Sequence, residues 1–263
     1  MVSIPTLNFS HRFQGVIWNM VAGTEHDPLI IEVRDTEKKQ VTFSALDLSS
    51  GEFRWRDRTL EENWWISLTL VHHGILIFTA YLDTNNPDKK GILAYSASDL
   101  SQLWWVNDFS VSSVTASTLR GFSQKFGLKE HAVDMKTGRE VLTPPDDAIV
   151  EPHELLKPAQ YLEGTEYFAT VKTFLLKQLN LNVVSALEYL EFEKSMIISC
   201  YVAGNDSPDL ANFLIVFSRT GECLLKEEIS SRAKGIGLDT FFVLRNNLIF
   251  VKNKNELLSY RIL

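Results

Sequence analysis

The sequence predicts a nearly all-β repeat protein. An eleven-residue turn pattern occurs four times, and apolar, strand-like runs flank each copy. About four strands fit into roughly 40 to 45 residues, which is the size of one propeller blade. Aromatic residues make up 11% of the 263-residue chain and include six tryptophans, which favours sheets that pack face to face. We therefore predict a single small β-propeller domain over residues 1–263.

Each copy of the pattern is a tight turn between two strands. An Asp or Ser at the third position can accept backbone N–H bonds, and Gly at the seventh supplies a positive φ. The eleventh position is large and apolar because it packs between neighbouring sheets, where an indole also donates one hydrogen bond. The four copies align without a gap, with Ala45, Ala94, Ala132 and Ile215 at the first position; Asp47, Ser96, Asp134 and Phe217 at the third; Gly51, Leu100, Gly138 and Gly221 at the seventh; and Trp55, Trp104, Leu142 and Leu225 at the eleventh.

The two ends of the chain complement each other. The last copy, from Leu248, stops after its third strand, and the strand-like segment Arg12–Met20 belongs to no copy. We predict that this N-terminal segment supplies the missing outer strand of the last blade. Such an exchange closes the ring and removes the open sheet edges.

Residues 144–183 break the repeat. The segment opens with a proline-rich acidic loop, and from Thr165 to about Leu179 its apolar residues follow helical spacing. Thr165 is a suitable N-cap and Glu166 suits a first turn. We predict an amphipathic helix inserted in a propeller of five blades, its apolar stripe packed on the sheets; six blades, with this segment as a degenerate blade, is the alternative.

The pattern at Ala45, Asp47, Ser50, Gly51 and Trp55 resembles the tryptophan-docking repeat of quinoprotein-type (PQQ-like) propellers. That resemblance implies the propeller fold. We expect no quinoprotein dehydrogenase activity, because the chain is short for that family and lacks its vicinal cysteines and an export signal. Segments of the type "YLEGTEYF" and "IISCYV" also resemble a Bacteroidota family of similar length, and this second resemblance implies no activity.

Composition excludes several classes of function. A net charge of −7 disfavours nucleic acid and anionic membranes as partners, and no apolar run is long enough for a transmembrane helix. Cys200 and Cys223 lie in apolar strand patterns and are expected to be buried thiols of a cytoplasmic protein. No nucleophile elbow, phosphate-binding loop or zinc motif occurs, so we expect no cofactor and no metal.

The acidic loop before the helix carries the densest group of polar functional residues. We predict that ligand contacts come from Asp146, Asp147, Glu151, His153 and Glu154.

Other conspicuous residues have structural explanations. One tryptophan of each pair, Trp64-Trp65 and Trp104-Trp105, should be core and its neighbour face outward. His72-His73 reads as a turn, and the Asp83–Asp88 loop lacks a full calcium-ligand spacing.

Two functions follow as hypotheses. The first is a non-enzymatic scaffold that binds an unknown protein or small-molecule ligand, and it requires an exposed apolar patch or groove. The second is a hydrolase whose carboxylates converge only in three dimensions, and it requires two carboxylates in one cleft.

Overall fold

The computed structural model describes residues 4–123, 130–143, 155–203 and 209–262. These residues are mostly β-strand in antiparallel sheets, with one α-helix in the described ranges. The chain divides into two compact units, which we call the N-terminal unit (residues 14–153) and the C-terminal unit (residues 1–13 with 154–263). The prediction of a mostly β protein built from antiparallel sheets is confirmed.

The first strand, β1 (Thr6–Arg12), belongs to the C-terminal unit, and the next twelve strands form the N-terminal unit. In the described residues this unit has three sheets of four strands, each in chain order. Sheet 1 contains β2 (Val16–Val21), β3 (Leu29–Asp35), β4 (Gln40–Leu46) and β5 (Phe53–Arg58); sheet 2 contains β6 (Ile66–His72), β7 (Ile75–Tyr81), β8 (Lys90–Ser96) and β9 (Gln102–Val106); sheet 3 contains β10 (Ser110–Val114), β11 (Thr118–Phe122), β12 (His131–Asp134) and β13 (Glu140–Val141).

Three repeat turns have the predicted chemistry. In each, the N–H of the seventh residue donates to the carbonyl of the third, as Gly51 to Asp47 (2.8 Å), Leu100 to Ser96 (2.9 Å) and Gly138 to Asp134 (2.8 Å). The Asp134 carboxylate also accepts the Thr137 N–H at 2.8 Å. The backbone of the seventh residue has a left-handed conformation in all three turns, including Leu100 with φ 62°. The turn is therefore set by local hydrogen bonds.

The fourth turn is one residue shorter. Ser218 opens it, and its N–H donates to Glu222 four positions on, whereas the Asp47 N–H donates to Glu52 five positions on. Phe217, which was aligned at the third position of this copy, does not open the turn and is fully buried in the core. The gapless alignment was therefore wrong by one residue at the third position of this copy.

The repeat tryptophans connect neighbouring sheets. Trp55 Nε1 donates to the Ala97 carbonyl at 2.9 Å, and Trp104 Nε1 donates to the Met135 carbonyl at 3.2 Å. Both acceptors stand at the fourth position of the following copy. The prediction that the eleventh residue packs between neighbouring sheets is therefore confirmed for Trp55 and Trp104. The prediction is wrong for Leu142, whose exposed fraction is 90%.

Sheet 2 is covered by apolar side chains on both faces. Leu76 and Phe78 of β7 pack into a cluster with Ile30 and Phe43 of sheet 1. The alternate residues Ile75 and Ile77 pack into a second cluster, with Leu119 and Val133 of sheet 3. Since successive residues of a strand face opposite sides, burial of both faces explains the continuous apolar run of β7.

The C-terminal unit contains two five-stranded sheets and the helix in its described residues. Sheet 4 has the order β15-β16-β17-β18-β19, and sheet 5 has the order β1-β22-β21-β20-β14. Their strands are β14 (Leu155–Leu156), β15 (Ala159–Leu162), β16 (Val183–Phe192), β17 (Ser195–Ala203), β18 (Leu210–Ser218), β19 (Cys223–Ala233), β20 (Phe241–Leu244), β21 (Asn247–Lys252) and β22 (Glu256–Arg261). The fifth strand of each sheet, β14 or β15, was not predicted.

An N-terminal strand does complete the last sheet, but it is not the predicted one. Strand β1, not Arg12–Met20, pairs with β22, from Thr6 opposite Arg261 to Arg12 opposite Glu256. Residues 16–21 form the first strand of sheet 1 instead. The two strands are separated at Gly15, where a Cβ would lie 2.8 Å from the Arg34 carbonyl oxygen. This lack of space explains why a glycine stands between the two strands.

Helix α1 (Glu166–Leu179) confirms the predicted helix. Thr165 Oγ1 accepts the Phe168 N–H at the N-terminus, and Asn180 ends the helix in a left-handed conformation. Phe168 and Leu175 are buried against sheet 4, so the apolar stripe packs on the unit as predicted. The helix connects β15 to β16 of one sheet, and residues 144–183 therefore contribute two short strands as well as a helix.

Candidate functional site

The predicted acidic site lies outside the described residues. Asp146, Asp147, Glu151, His153 and Glu154 all fall in the range 144–154. In the described part of the chain two features stand out: an exposed apolar surface in the C-terminal unit and a polar cavity in the N-terminal unit.

The apolar surface begins directly after the predicted acidic loop. Residues 155–162, which we call the strap, form β14 and β15 and add one edge strand to each sheet of the unit. The strap and two nearby segments expose large apolar side chains, with exposed fractions from 41% to 69%. We call this set the strap surface, and it consists of Leu156, Leu162, Tyr167, Ile236 and Leu238.

Polar and aromatic contacts join the three segments of the strap surface, which are the strap, the first turn of α1 and the loop around residue 237. Gln160 Nε2 donates to the Gly237 carbonyl at 2.7 Å, between the two exposed residues at 236 and 238. Lys157 Nζ lies 2.7 Å from Asp239 Oδ2. The rings of Tyr161 and Tyr167 stack with centroids 5.2 Å apart, which joins the strap to the first turn of α1. The exposed apolar side chains therefore share one region of the unit.

A buried carboxylate fixes the 237–240 loop of this surface. Glu188 accepts hydrogen bonds from the Asp239 N–H at 2.6 Å and the Thr240 N–H at 2.9 Å. Burial raises the pKa of Glu188, and the hydrogen bonds from Thr240 and Asp239 oppose that rise. Tyr201 Oη accepts the Gly237 N–H at 2.6 Å. Hydrogen bonds therefore anchor the backbone on both sides of Leu238, whose side chain is exposed to solvent.

The polar cavity has a volume of about 190 Å³ and lies against sheet 1. Asp35 pairs with Gln40 and Val33 with Thr42 across β3 and β4, so these four side chains share one face of the sheet. The complete lining is Gln14, Val33, Asp35, Lys38, Gln40, Thr42 and Asp57.

Two backbone features shape the cavity. Gly15 lets the loop before β2 lie directly on β3, which brings Gln14 to the rim. At Asp57 the register of β5 shifts against β4, and the backbone is left-handed with φ 52°. The Asp57 N–H donates to the buried Ser44 Oγ at 3.0 Å. Bulges of this kind re-aim a side chain, and here the carboxylate lines the cavity.

The second carboxylate of the cavity belongs to the β3–β4 hairpin. Asp35 Oδ1 accepts the N–H groups of Glu37 at 3.1 Å and Lys38 at 3.0 Å, and Lys38 Nζ lies 3.0 Å from Asp35 Oδ2. The hydrogen bonds from Lys38 are the main cause that lowers the pKa of Asp35. Asp35 is therefore ionised at neutral pH.

The tryptophan pairs are divided as predicted between core and surface. Trp104 has an exposed fraction of 8% and Trp105 one of 63%, and Trp64 packs on the core while Trp65 is exposed. Sequence reasoning missed Trp18, an exposed residue whose ring stacks on the Arg34 guanidinium at 5.5 Å. No local signal marks that contact, since the bulge that carries Trp18 depends on pairing with β3.

Buried carboxylates of the N-terminal unit bind backbone N–H groups of the following sheet. Glu32 accepts the Leu68 N–H at 2.8 Å and the Arg34 Nε at 2.7 Å. Asp27 accepts the N–H groups of His73 and Gly74, which form the predicted turn between β6 and β7. These carboxylates hold sheets 1 and 2 together.

The remaining predicted residues are in structural positions. Asp83 accepts the Asn85 N–H at 3.0 Å and closes its loop, as turn chemistry requires. Cys200 is buried, and burial raises its pKa to about 12, but Cys223 is exposed at the start of an edge strand, so its predicted burial was wrong. Within the described ranges, no three His, Cys, Asp or Glu side chains gather as metal ligands. The described helix is too short and too polar to cross a membrane.

Comparison with known proteins adds a partial family match. The family described as "Domain of unknown function (DUF4905)" matches residues 22–105, which cover most of sheets 1 and 2. No curated protein matches the sequence.

Solved structures show only distant similarity. A complex of KlAtg21 with the coiled coil of AgAtg16 has a TM-score of 0.31 at 13% identity, covering 95% of this chain and 67% of that chain. The quinohemoprotein alcohol dehydrogenase from Comamonas testosteroni has a TM-score of 0.30 at 10% identity, covering 86% of this chain and 37% of that chain. A europium-containing methanol dehydrogenase has a TM-score of 0.30 at 13% identity, covering 86% of this chain and 55% of that chain. The chain thus spans well under two thirds of either dehydrogenase.

Proposed function

We propose that the protein is a non-enzymatic scaffold that binds a partner protein through the strap surface. The observation that carries the proposal is the grouping of large exposed apolar side chains on anchored backbone. Exposed apolar side chains grouped on neighbouring segments often mark interaction sites. Glu188, the buried carboxylate beneath the surface, is engaged by backbone N–H groups, which suits a rigid binding face better than a reactive centre.

The partner that fits this surface best is an extended segment of another protein. Strands β14 and β15 are edge strands, each with one hydrogen-bonded neighbour among the described strands. An extended peptide can add to such an edge through its backbone while its alternate side chains occupy the neighbouring apolar surface. The net charge of −7 favours a basic peptide. We therefore propose a basic segment with alternating apolar residues.

A peptide-display selection on the full-length protein tests this proposal. Enriched peptides should alternate apolar and basic residues, and their affinity, measured by fluorescence anisotropy, should fall about tenfold or more in Leu238→Asp and Leu162→Asp. The matched control is Leu103→Asp, an exposed leucine of the N-terminal unit, which should change affinity less than about twofold.

Two results would overturn the proposal. One is the absence of enriched peptides, or peptides that bind all three variants equally. The other is a dimer of this chain that Leu238→Asp dissociates in sedimentation experiments, since the surface would then serve self-association.

A hydrolase is the second candidate function, and one observation favours it: Asp35 and Asp57 line the same cavity. Acid catalysis needs one carboxyl whose pKa is raised, whereas the pKa of Asp35 is lowered. We therefore expect no turnover of nitrophenyl glycosides or nitrophenyl acetate. Turnover that disappears in Asp57→Asn would establish the hydrolase instead.

We also propose that the five sheets are the blades of one propeller whose ring is closed by β1. The tryptophan contacts between successive sheets and the β1–β22 pairing support this. Small-angle scattering should then give a radius of gyration of about 18 Å, that of one compact domain of this length.

A cytoplasmic location is supported by the two cysteines, which form no disulfide. An origin in the Bacteroidota stays a prediction.

A further inference from the structure

The cavity of sheet 1 has the composition of a small-molecule site, and it is independent of the strap surface because it lies in the other unit. Its volume of about 190 Å³ is below the range of roughly 300 to 1,000 Å³ typical for drug-sized ligands. Only a small compound fits. Six of its seven lining side chains are polar, and Val33 is the single apolar one.

The carboxylates of the lining each have a cationic partner. Lys38 Nζ lies 3.0 Å from Asp35 Oδ2, and Arg56 Nε lies 3.3 Å from Asp57 Oδ2. Because both carboxylates are paired with a cation, the lining offers little net attraction to an ionic ligand. A neutral polar ligand can still form hydrogen bonds with these groups.

The hydrogen-bonding groups of the lining indicate the chemistry of that neutral ligand. Carboxylates only accept hydrogen bonds, an ammonium only donates, and the amides of Gln14 and Gln40 do both. Hydroxyl groups satisfy all of these partners, because each hydroxyl donates one hydrogen bond and accepts others. An aromatic or apolar ligand finds no matching wall, since no aromatic side chain is among the lining residues.

From these observations we infer that the cavity of sheet 1 binds a small neutral polyol of monosaccharide size, held by Asp35, Asp57 and the amides of Gln14 and Gln40. The bulge at Asp57 supports this assignment, because it places this residue among those that line the cavity.

Saturation-transfer difference NMR on the full-length protein tests the inference. The probes are D-glucose, D-mannose and myo-inositol, with putrescine and citrate as cationic and anionic comparisons. At least one polyol should show saturation transfer that titrates, and Asp57→Asn should weaken its apparent affinity about tenfold.

Asp57→Asn is a suitable variant because Asn also tolerates the left-handed conformation, so the bulge is retained. Asp57→Gly provides a second check, because it removes the carboxylate while relieving the backbone. The matched control is Glu37→Gln, which alters an exposed carboxylate of the same hairpin outside the lining and should leave binding unchanged.

Three outcomes would overturn the inference. The first is no saturation transfer to any polyol. The second is stronger transfer to putrescine or citrate than to the polyols. The third is unchanged polyol binding in both Asp57 variants, which would place the ligand elsewhere. None of these outcomes affects the peptide experiment on Leu238 and Leu162.

Discussion

The close approach of Gly138 to Trp104 gives a prediction whose magnitude follows from the structure. Gly138 has φ 67°, and a Cβ on it would lie 2.6 Å from Trp104 Cε3. Gly74 has a similar φ of 76°, but a Cβ on it would meet nothing within 4 Å. Alanine at either position suffers the same backbone strain, and only at Gly138 does it also collide with the indole.

The expected losses of unfolding free energy follow from these two contributions. The left-handed backbone costs an alanine about 1 kcal/mol, which is the whole expected effect of Gly74→Ala. The collision adds about 1 to 3 kcal/mol, so Gly138→Ala should lose about 2 to 4 kcal/mol. With a urea m-value of about 2 kcal/mol/M, the midpoint should fall by about 1 to 2 M.

Urea unfolding followed by circular dichroism and tryptophan fluorescence measures both variants. A double variant, Trp104→Phe with Gly138→Ala, should recover part of the collision cost because the smaller ring leaves room for the methyl group. Equal destabilisation by Gly74→Ala and Gly138→Ala would refute the reasoning, since it would show that the indole does not press on the turn.

Three further predictions concern local contacts. Trp55→Phe removes the donor to the buried Ala97 carbonyl and should cost about 1 to 3 kcal/mol, measured by urea unfolding. Thr165→Ala removes the N-cap of α1 and should cost about 1 kcal/mol, seen as a lower thermal midpoint. The hydrogen bond from Thr137 lowers the pKa of Asp134, so its carboxylate stabilises the fold above pH about 4 and loses this effect as the pH falls further. Asp134→Asn should therefore flatten the acid dependence of stability between about pH 4 and pH 2, in a pH series of melting curves.

Much of the strand and turn structure could be predicted from the sequence because its causes are local. Asp47 with Gly51, and Asp134 with Gly138, form turns through hydrogen bonds between residues a few positions apart. The helix begins at Thr165 for the same reason, because its hydroxyl accepts an N–H three residues on. Patterns confined to one short segment record such contacts directly.

The candidate sites could not be predicted, because each joins segments far apart in the chain. The loop that carries Leu238 is joined to the strap by the hydrogen bond from Gln160 to Gly237 and to β16 by the one from Asp239 to Glu188, and both contacts span more than 50 residues. Asp57 lines a cavity with Gln14 because a bulge turns it there.

The N-terminal strand illustrates the same division. The sequence indicated that a terminal strand completes the last sheet, since a strand was missing at one end and left over at the other. Which residues pair with β22 depended on contacts between the two ends of the chain, and Thr6–Arg12 make them instead of Arg12–Met20. Local hydrogen bonding thus determined the elements, and long-range packing determined their partners and the surfaces they expose.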